Sequence, residues 1–206
     1  MSTYAVAVTG GIASGKSAVT SAFEKRGIAV ADADLAARAV VAPGSEGLAE
    51  ITKTFGPNVL SADGSLDRAA MRALVFADPQ ARTTLESITH PRIRNLLLQQ
   101  AQQATSPYVV VAIPLLTEIG GRKAYPWLQR VLVVDVDHQT QWERLMARDS
   151  MSEVAALGMI AAQASQDDRL AIADDIVRNE GTLEQLDAAI ADLHALYLRL
   201  AGAGAN

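Results

Sequence analysis

The sequence contains no cysteine, and this absence excludes a disulfide framework and any zinc site that uses cysteine ligands. It also contains no apolar run near the ~18 residues that a membrane-spanning helix requires, although 50% of its residues are hydrophobic. The first residues lead directly into an apolar segment, without the basic and apolar stretches of a secretory leader. We therefore expect a cytoplasmic protein that does not associate with membranes.

Positive charge is also scarce. The 206 residues carry 18 Lys and Arg against 23 Asp and Glu, a formal net charge of −5. A broad nucleic-acid-binding face needs clustered excess positive charge, so we expect no nucleic-acid partner. Because cations are few, any site for a polyphosphate must place them locally.

A phosphate-binding pattern lies near the start of the chain. Residues 10–17, GGIASGKS, fit G-x-x-x-x-G-K-[ST] at every fixed position. The glycines let successive N–H groups point inward around phosphate oxygens, Lys16 brings a positive charge, and the Ser17 hydroxyl can ligate Mg²⁺. A nucleoside triphosphate such as ATP is the predicted ligand. The predicted contacts from this segment are Gly11, Ile12, Ala13, Ser14, Gly15, Lys16, Ser17 and Ala18.

Alternating strand and helix patterns follow the loop. Five short apolar segments read as strands, at 4–9, 28–31, 108–113, 130–136 and 175–177, and a leucine-rich amphipathic helix closes the chain. Strands 109–113 and 131–134 are apolar on both faces, as in a parallel sheet that helices cover on each side. The pattern predicts an α/β fold: a doubly wound five-stranded parallel sheet of the phosphate-loop kinase type.

Two connections are too long for simple crossovers, and both have helical patterns. We predict one domain over 1–206, whose nucleotide-binding core comprises 1–40, 105–137 and 170–206. The insert 41–104 would bind the substrate, and the insert 138–169 would form a lid. A lid is expected because ATP must be shielded from water before transfer.

Carboxylates follow two of the predicted strands. Asp32 and Asp34 lie two residues apart, so they share a face if the strand continues, and one could orient an acceptor hydroxyl while the other orients Mg²⁺. The alternative is that one of them caps the helix that follows. Asp135 follows four apolar strand residues and could assist Mg²⁺, whereas Asp137 behind it resembles a helix N-cap.

Three arginines and one histidine complete the residues that stand out. Arg144 and Arg148 lie four apart on the helical insert, with Arg169 further along. They are candidates for clamping phosphates, although exposed arginines often only solvate a helix. In His90-Pro91 the proline predicts a helix start or kink, and a single histidine is more often structural.

Taken together, these segments resemble the dephospho-coenzyme A kinases, especially the bacterial single-domain form. The resemblance covers nearly the whole chain in order. It rests on 9–17, 32–38, His90-Pro91, 114–118 (PLLTE), 133–136, 163–169 and 173–181.

The resemblance implies that ATP phosphorylates the ribose 3′-hydroxyl of dephospho-coenzyme A. It implies catalytic roles for Asp34 and Lys16, with Mg²⁺ at Ser17 and Asp135. It further implies nucleotide contacts from Arg144, Arg148, Asn179 and Gly181, the last two beside adenine. The substrate-binding residues it implies are Asp32, Arg38, His90, Leu116, Glu118 and Arg169.

Two positions depart from the family pattern. Ala13 stands where glycine is usual, and its methyl group is tolerable unless the backbone needs a positive φ. The glycine-rich segment 119–122 replaces an expected helical continuation after Glu118 and puts the local loop shape in question.

Other functions remain open at this point. A shikimate-type or nucleoside monophosphate kinase shares the loop and the Asp-x-Asp pattern, but does not normally combine DADLAAR with PLLTE. A nucleotide-driven switch protein is disfavoured because no N/T-K-x-D guanine-reading segment occurs. We expect a monomer or a weak homo-oligomer.

Overall fold

A computed structural model describes residues 4–149 and 151–203. The predicted core and lid ranges include residues 1–3, 150 and 204–206, which lie outside the described residues. The chain forms two compact units, one built from the residues up to Ala31 and from Gln100 onward, and the other from Asp32–Gln99.

The first unit contains a five-stranded, all-parallel sheet in the order β2-β3-β1-β4-β5. Its strands are β1 (Ala5–Gly10), β2 (Ala29–Asp32), β3 (Val109–Ala112), β4 (Arg130–Asp135) and β5 (Asp175–Arg178). The five predicted strands are thus confirmed, with ends shifted by at most one residue. Because β1 is central, the loop that follows it opens at the carboxyl edge of the sheet between β3 and β4.

Burial explains why the central strands are uninterrupted apolar runs. Every residue of β1 and β3 is buried, because helices cover both faces of the sheet. Val8 pairs with Ala112 on one side and Leu132 on the other. On the edge strand β5, Ile176 is exposed whereas Val177 is buried, the alternation of a strand with one covered face.

Among the described residues, five α-helices lie entirely within this unit. They are α1 (Lys16–Glu24), α6 (His138–Asp149), α7 (Glu153–Ala161), α8 (Gln166–Ala171) and α9 (Leu183–Ala203). The closing amphipathic helix predicted from the leucine spacing is therefore α9. The helical insert predicted over 138–169 corresponds to α6, α7 and most of α8, and its role as a lid stays a prediction.

An aromatic cluster joins α1, β3 and α9. Phe23, Tyr108 and Tyr197 are fully buried, and their ring centroids lie 5.5–6.2 Å apart. The Tyr197 hydroxyl donates to Asp175 at 2.9 Å, and Arg130 donates two hydrogen bonds to the same carboxylate. Burial raises the pKa of both tyrosines, so both stay protonated. The cluster fixes the helix that follows the phosphate loop against the sheet.

The second unit is helical. It contains α2 (Ala33–Ala39), α3 (Glu46–Phe55), α4 (Arg68–Ala77) and most of α5 (Pro79–Gln103). Its own apolar core is formed by Val40, Val41, Ile51, Val59, Met71 and Ile88. The helical character predicted for 41–104 is therefore confirmed.

The proline in His90-Pro91 does not start a helix. Pro91 lies inside the 25-residue helix α5, where it has no N–H to donate to the carbonyl of Ser87. The helix continues through this position. Across the part of the chain that the structure describes, no helix is both long and apolar enough to cross a membrane.

The pH dependence of stability can be predicted at His194. Its Nδ1 lies 2.7 Å from the Tyr108 hydroxyl, and burial lowers its pKa below 6.5. The folded state then binds this proton less readily than the unfolded state, so stability is full above the unfolded pKa and falls as the pH drops below it. We expect the free energy of unfolding, measured with urea from about pH 7.5 to about pH 5, to decline on acidification.

His194→Gln should flatten that decline, whereas His138→Gln, at an exposed position, should leave it unchanged. Identical slopes for the wild-type protein and His194→Gln would contradict the assignment.

Candidate active site

The phosphate loop joins β1 directly to α1, and three of its residues have positive φ. Gly10 has φ 156°, Ala13 57° and Gly15 90°. The turn is closed by the Ser14 N–H, which donates to the Gly11 carbonyl at 3.2 Å. Ala13 is the one non-glycine residue with positive φ among those the structure describes, and this conformation costs an L-residue about 1–2 kcal/mol. Ala13, which replaces the glycine usual in the family pattern, therefore occupies a position at which glycine would be unstrained.

The N-terminus of α1 is open. Among the α-helices within 4–149 and 151–203, it is the one that no side chain caps; Gly15 stands at its N-cap. Caps are supplied by Asp32 to α2, Ser45 to α3, Asp67 to α4, Asp78 to α5, Asp137 to α6, Ser152 to α7, Ser165 to α8 and Thr182 to α9. Uncapped first-turn N–H groups and the helix dipole favour an anion here.

Lys16 lies at this open end. Its Nζ donates hydrogen bonds of 2.9 Å to the carbonyls of Gly10 and Gly11. The ammonium group is thus held over the loop, where phosphate oxygens are expected. Ser17, the next residue of the motif, is exposed on the first turn of α1.

Three amide side chains brace the loop from outside. Gln163 Oε1 accepts from the Ile12 N–H at 2.7 Å, and Gln141 Nε2 donates to the Ile12 carbonyl at 3.0 Å. Asn179 Nδ2 donates to the Ser14 carbonyl at 2.8 Å. Asn179 was expected beside adenine, and its amide nitrogen is here bonded to the loop.

The braces pack tightly against two glycines. A Cβ atom on Gly11 would lie 2.1 Å from Gln141 Nε2 and 3.1 Å from Arg169 Nη2. A Cβ atom on Gly15 would lie 2.1 Å from Asn179 Nδ2. Gly11 therefore allows the close approach of Gln141, and Gly15 allows that of Asn179 and also has a left-handed backbone that favours glycine.

The three arginines occupy different environments. Arg169 is only 6% exposed; its Nη1 donates to the Ala164 carbonyl at 2.5 Å, and its guanidinium lies beside Gly11. Arg144 donates to the Asn179 carbonyl at 2.6 Å. Arg148 is exposed near the end of α6. Two of the predicted cations thus lie within reach of the phosphate loop.

Asp135 ends β4 beside the loop and is buried. Its Oδ1 accepts from Gln166 Nε2 at 2.8 Å, and its carbonyl accepts from the Asn179 N–H at 2.9 Å. The Asp137 carboxylate accepts from the Thr140 N–H, and this bond lowers its pKa, as expected for the predicted helix cap. In 4–149 and 151–203 no three His, Cys, Asp or Glu side chains cluster as metal ligands.

The segment between β3 and β4 consists of turns and one short 3₁₀ helix, Gly121–Lys123, and has no α-helix. Glu118 is exposed, and its Oε1 accepts from the Ala164 N–H at 2.9 Å. Leu116 is fully buried, and its carbonyl accepts a hydrogen bond from the Gly121 N–H. Gly120 and Gly121 have φ 100° and 58°, which explains the glycines where a helix was expected.

Four predicted substrate or catalytic residues, Asp32, Asp34, Arg38 and His90, belong to the second unit. Asp32 caps α2, with Oδ1 accepting from the N–H groups of Asp34 and Leu35 at 2.7 and 3.0 Å. Asp34 and Arg38 are exposed and lie four residues apart on α2, so they share a face. His90 is half-buried on α5. The capping alternative is therefore realised by Asp32, and the Asp34 carboxylate is exposed to solvent.

Gln141 is the residue that sequence reasoning missed. It is 1% exposed on α6 and lies four residues before the fully buried Leu145. A polar residue on the buried stripe of a helix is the signal that could have identified it. Gln163 and Gln166 were noted only as part of a matching segment.

Comparison with known proteins gives a consistent result. The sequence profile of the dephospho-CoA kinase family matches residues 4–185. A dephospho-CoA kinase from Xanthomonas oryzae pv. oryzae is 56% identical over 197 residues, covering 96% of this chain and 97% of the relative. A dephospho-CoA kinase from Xylella fastidiosa is 52% identical, and the match covers 98% of this chain and 97% of the relative.

Solved structures agree on the fold. A Thermus thermophilus protein superposes with a TM-score of 0.78 at 32% identity, covering 93% of this chain and 96% of its own. A dephospho-CoA kinase from Campylobacter jejuni superposes with a TM-score of 0.69 at 27% sequence identity. The match covers 93% of this chain and 95% of that structure. Shikimate kinase from Acinetobacter baumannii superposes with a TM-score of 0.51 at 15% sequence identity, covering 93% of each chain. This likeness concerns the fold alone.

The close approach at Gly15 gives a testable prediction. Gly15→Ala should weaken ATP binding about 100-fold or more, because the methyl group displaces Asn179 and opposes the left-handed backbone. Isothermal titration with ATP measures the effect.

Gly27→Ala is the matched control. Gly27 has φ 77°, but no atom lies within 4 Å of its added Cβ, so this variant carries strain of about 1 kcal/mol without a clash. Equal ATP affinity in the two variants would show that the contact with Asn179 is unimportant.

Proposed function

This chain belongs to the dephospho-CoA kinase family, and we propose that its phosphate loop, Lys16 and Asp34 carry out the family's reaction. The reaction transfers the γ-phosphoryl group of ATP to the ribose 3′-hydroxyl of dephospho-CoA, and gives CoA and ADP in the last step of CoA biosynthesis. The observation that carries this proposal is the uncapped, lysine-bearing N-terminus of α1 within a chain that matches the family over 4–185. We propose the cytoplasm as the place of the reaction.

The donor half of the reaction is assigned to the phosphate loop. The N–H groups at the start of α1 would hold the β-phosphate of ATP, since they point out of an uncapped helix. The Lys16 ammonium would exchange its bonds to the Gly10 and Gly11 carbonyls for bonds to the phosphates. The charge that develops on the transferred group would then be stabilised without movement of the backbone.

The oxygen donors at the loop suit Mg²⁺. The ion prefers oxygen ligands and keeps several waters, and the Ser17 hydroxyl with ATP phosphates would hold it directly. Asp135, oriented by its bond from Gln166, would hold its water molecules. When bound, Mg²⁺ neutralises charge on the β- and γ-phosphates.

The acceptor half is assigned to Asp34. Phosphoryl transfer has a loose transition state, so a carboxylate mainly orients the acceptor hydroxyl and takes its proton late. Asp34 is exposed to solvent in α2, while Asp32 is engaged in capping the same helix. The proposal therefore assigns the reacting hydroxyl to Asp34 and leaves Asp32 to fix the backbone that carries it.

The other predicted contacts remain proposals. Arg144, Arg148 and Arg169 would neutralise phosphate charge. Gly181, and Asn179 through its backbone, would border adenine. The acceptor contacts proposed from the resemblance are Arg38, His90, Leu116 and Glu118.

An acceptor panel tests the function. We expect ADP formation from ATP to be stoichiometric with dephospho-CoA and to stay at background with shikimate, gluconate and nucleoside monophosphates. A coupled assay of ADP measures it. Turnover with shikimate or a monophosphate, and none with dephospho-CoA, would overturn the assignment.

Asp34→Asn tests the acceptor role. The amide cannot take the hydroxyl proton, so kcat should fall about 100-fold or more while ATP affinity changes less than about twofold. Steady-state kinetics and ATP titration measure the two quantities. Asp192→Asn, at an exposed position on α9, is the control and should leave both quantities unchanged.

Lys16→Ala should instead reduce both ATP affinity and kcat.

Near-normal turnover of Asp34→Asn would remove this residue from the mechanism.

A further inference from the structure

Ile12 is the one point of the phosphate loop at which both backbone polar groups are bonded to side chains. Its N–H donates to Gln163 and its carbonyl accepts from Gln141, at 2.7 and 3.0 Å. Gln141 belongs to α6 and Gln163 to the connection between α7 and α8, so two separate segments hold one residue. An N–H that is already bonded in this way is not offered to a phosphate.

We propose that Gln141 and Gln163 are positioning residues for ATP. By holding Ile12 from both sides, they keep the next residue, Ala13, in its left-handed conformation and direct the following N–H groups toward the phosphates. Ile12 is then an anchor of the loop, which differs from the direct nucleotide contact that the motif predicts for it. The inference rests on the proposed function only in taking ATP as the ligand.

The strained residue explains why the loop needs this support. Ala13 has φ 57° where glycine would adopt the same backbone without strain. Strained conformations persist where the surrounding structure holds them in place. Ile12 is the immediate neighbour of Ala13, and its peptide group is fixed on both sides, so the two glutamines act on the bond that leads into the strained residue.

The burial of Gln141 points to the same role. The side chain is 1% exposed, its Nε2 bonds Ile12, and its Oε1 has no hydrogen-bond partner within the residues described. A buried acceptor without a partner lowers stability, so an apolar side chain of similar length would suit the core at least as well. What the amide adds is the bond to the loop.

The same contacts connect the loop to the insert 138–169, at Gln141 on α6 and at the segment 163–169. Gln166 bonds Asp135, and Arg169 packs beside Gly11, close to where Gln141 approaches the same glycine. Movement of this part of the insert would release Ile12. We therefore expect this part of the insert to stay on the loop while ATP is bound.

The experiment compares Gln141→Met and Gln163→Met with Gln139→Met. Gln139 lies on the same helix as Gln141 but is exposed and bonds only Glu143 among the contacts described. We expect Kd for ATP, titrated without acceptor, to rise about tenfold in each of the first two variants, the effect of one lost hydrogen bond to the loop. The control should match the wild-type protein.

Two further readouts separate positioning from a general loss of structure. KM for dephospho-CoA should change less than about twofold in both variants. The melting temperature of Gln141→Met should change little, because Met fills the volume of Gln and removes the unpartnered Oε1 of Gln141. Adding Ala13→Gly to Gln141→Met should recover most of the lost ATP affinity, since glycine needs no support at this φ.

ATP affinity within twofold of wild type in both Met variants would overturn the proposal, as would an Ala13→Gly substitution that gives no recovery. If Gln141→Met does not fold, Gln163→Met decides, together with hydrogen exchange of the Ile12 amide, which should become faster in that variant. If the wild-type protein binds ATP but does not phosphorylate dephospho-CoA, the proposed function fails while the positioning role is still measured.

Discussion

The structure depends on leaving one helix N-terminus unsatisfied. Every other α-helix within 4–149 and 151–203 has its first turn capped by a side chain, whereas α1 begins at Gly15 with none. An uncapped helix start leaves N–H groups that water or an anion must satisfy. The central position of β1 in the sheet brings that start to the carboxyl edge, where α/β proteins bind ligands.

An open helix start has to be held in shape by its surroundings. The aromatic cluster of Phe23, Tyr108 and Tyr197 fixes the body of α1, and the amides of Gln141, Gln163 and Asn179 hold the loop before it. Preorganised N–H groups stabilise phosphate charge without reorganising during the reaction. The strain at Ala13 lies in the same loop, as expected where a functional conformation is maintained by neighbouring contacts.

The sheet, the phosphate loop and the helical inserts could be predicted from the sequence, because they follow from local patterns. Apolar runs predicted β1, β3 and β4, and the fixed spacing of Gly15, Lys16 and Ser17 predicted the loop. The bonds that brace the loop could not be predicted. A polar residue on a buried helix stripe can mark Gln141, but nothing local points to Ile12, which lies 129 residues from Gln141 and 151 from Gln163. The prediction that His90-Pro91 starts a helix was wrong, because Pro91 lies inside the long helix α5.

Identification of the product is the decisive experiment for the proposal that this protein phosphorylates the ribose 3′-hydroxyl of dephospho-CoA. The purified protein is incubated with ATP, Mg²⁺ and dephospho-CoA, and the products are identified by mass spectrometry with chromatographic separation of the ribose 2′- and 3′-phosphate isomers. We expect CoA phosphorylated at the 3′ position, in amounts equal to the ADP released. ADP release without a phosphorylated acceptor, or phosphate at another position, would contradict it.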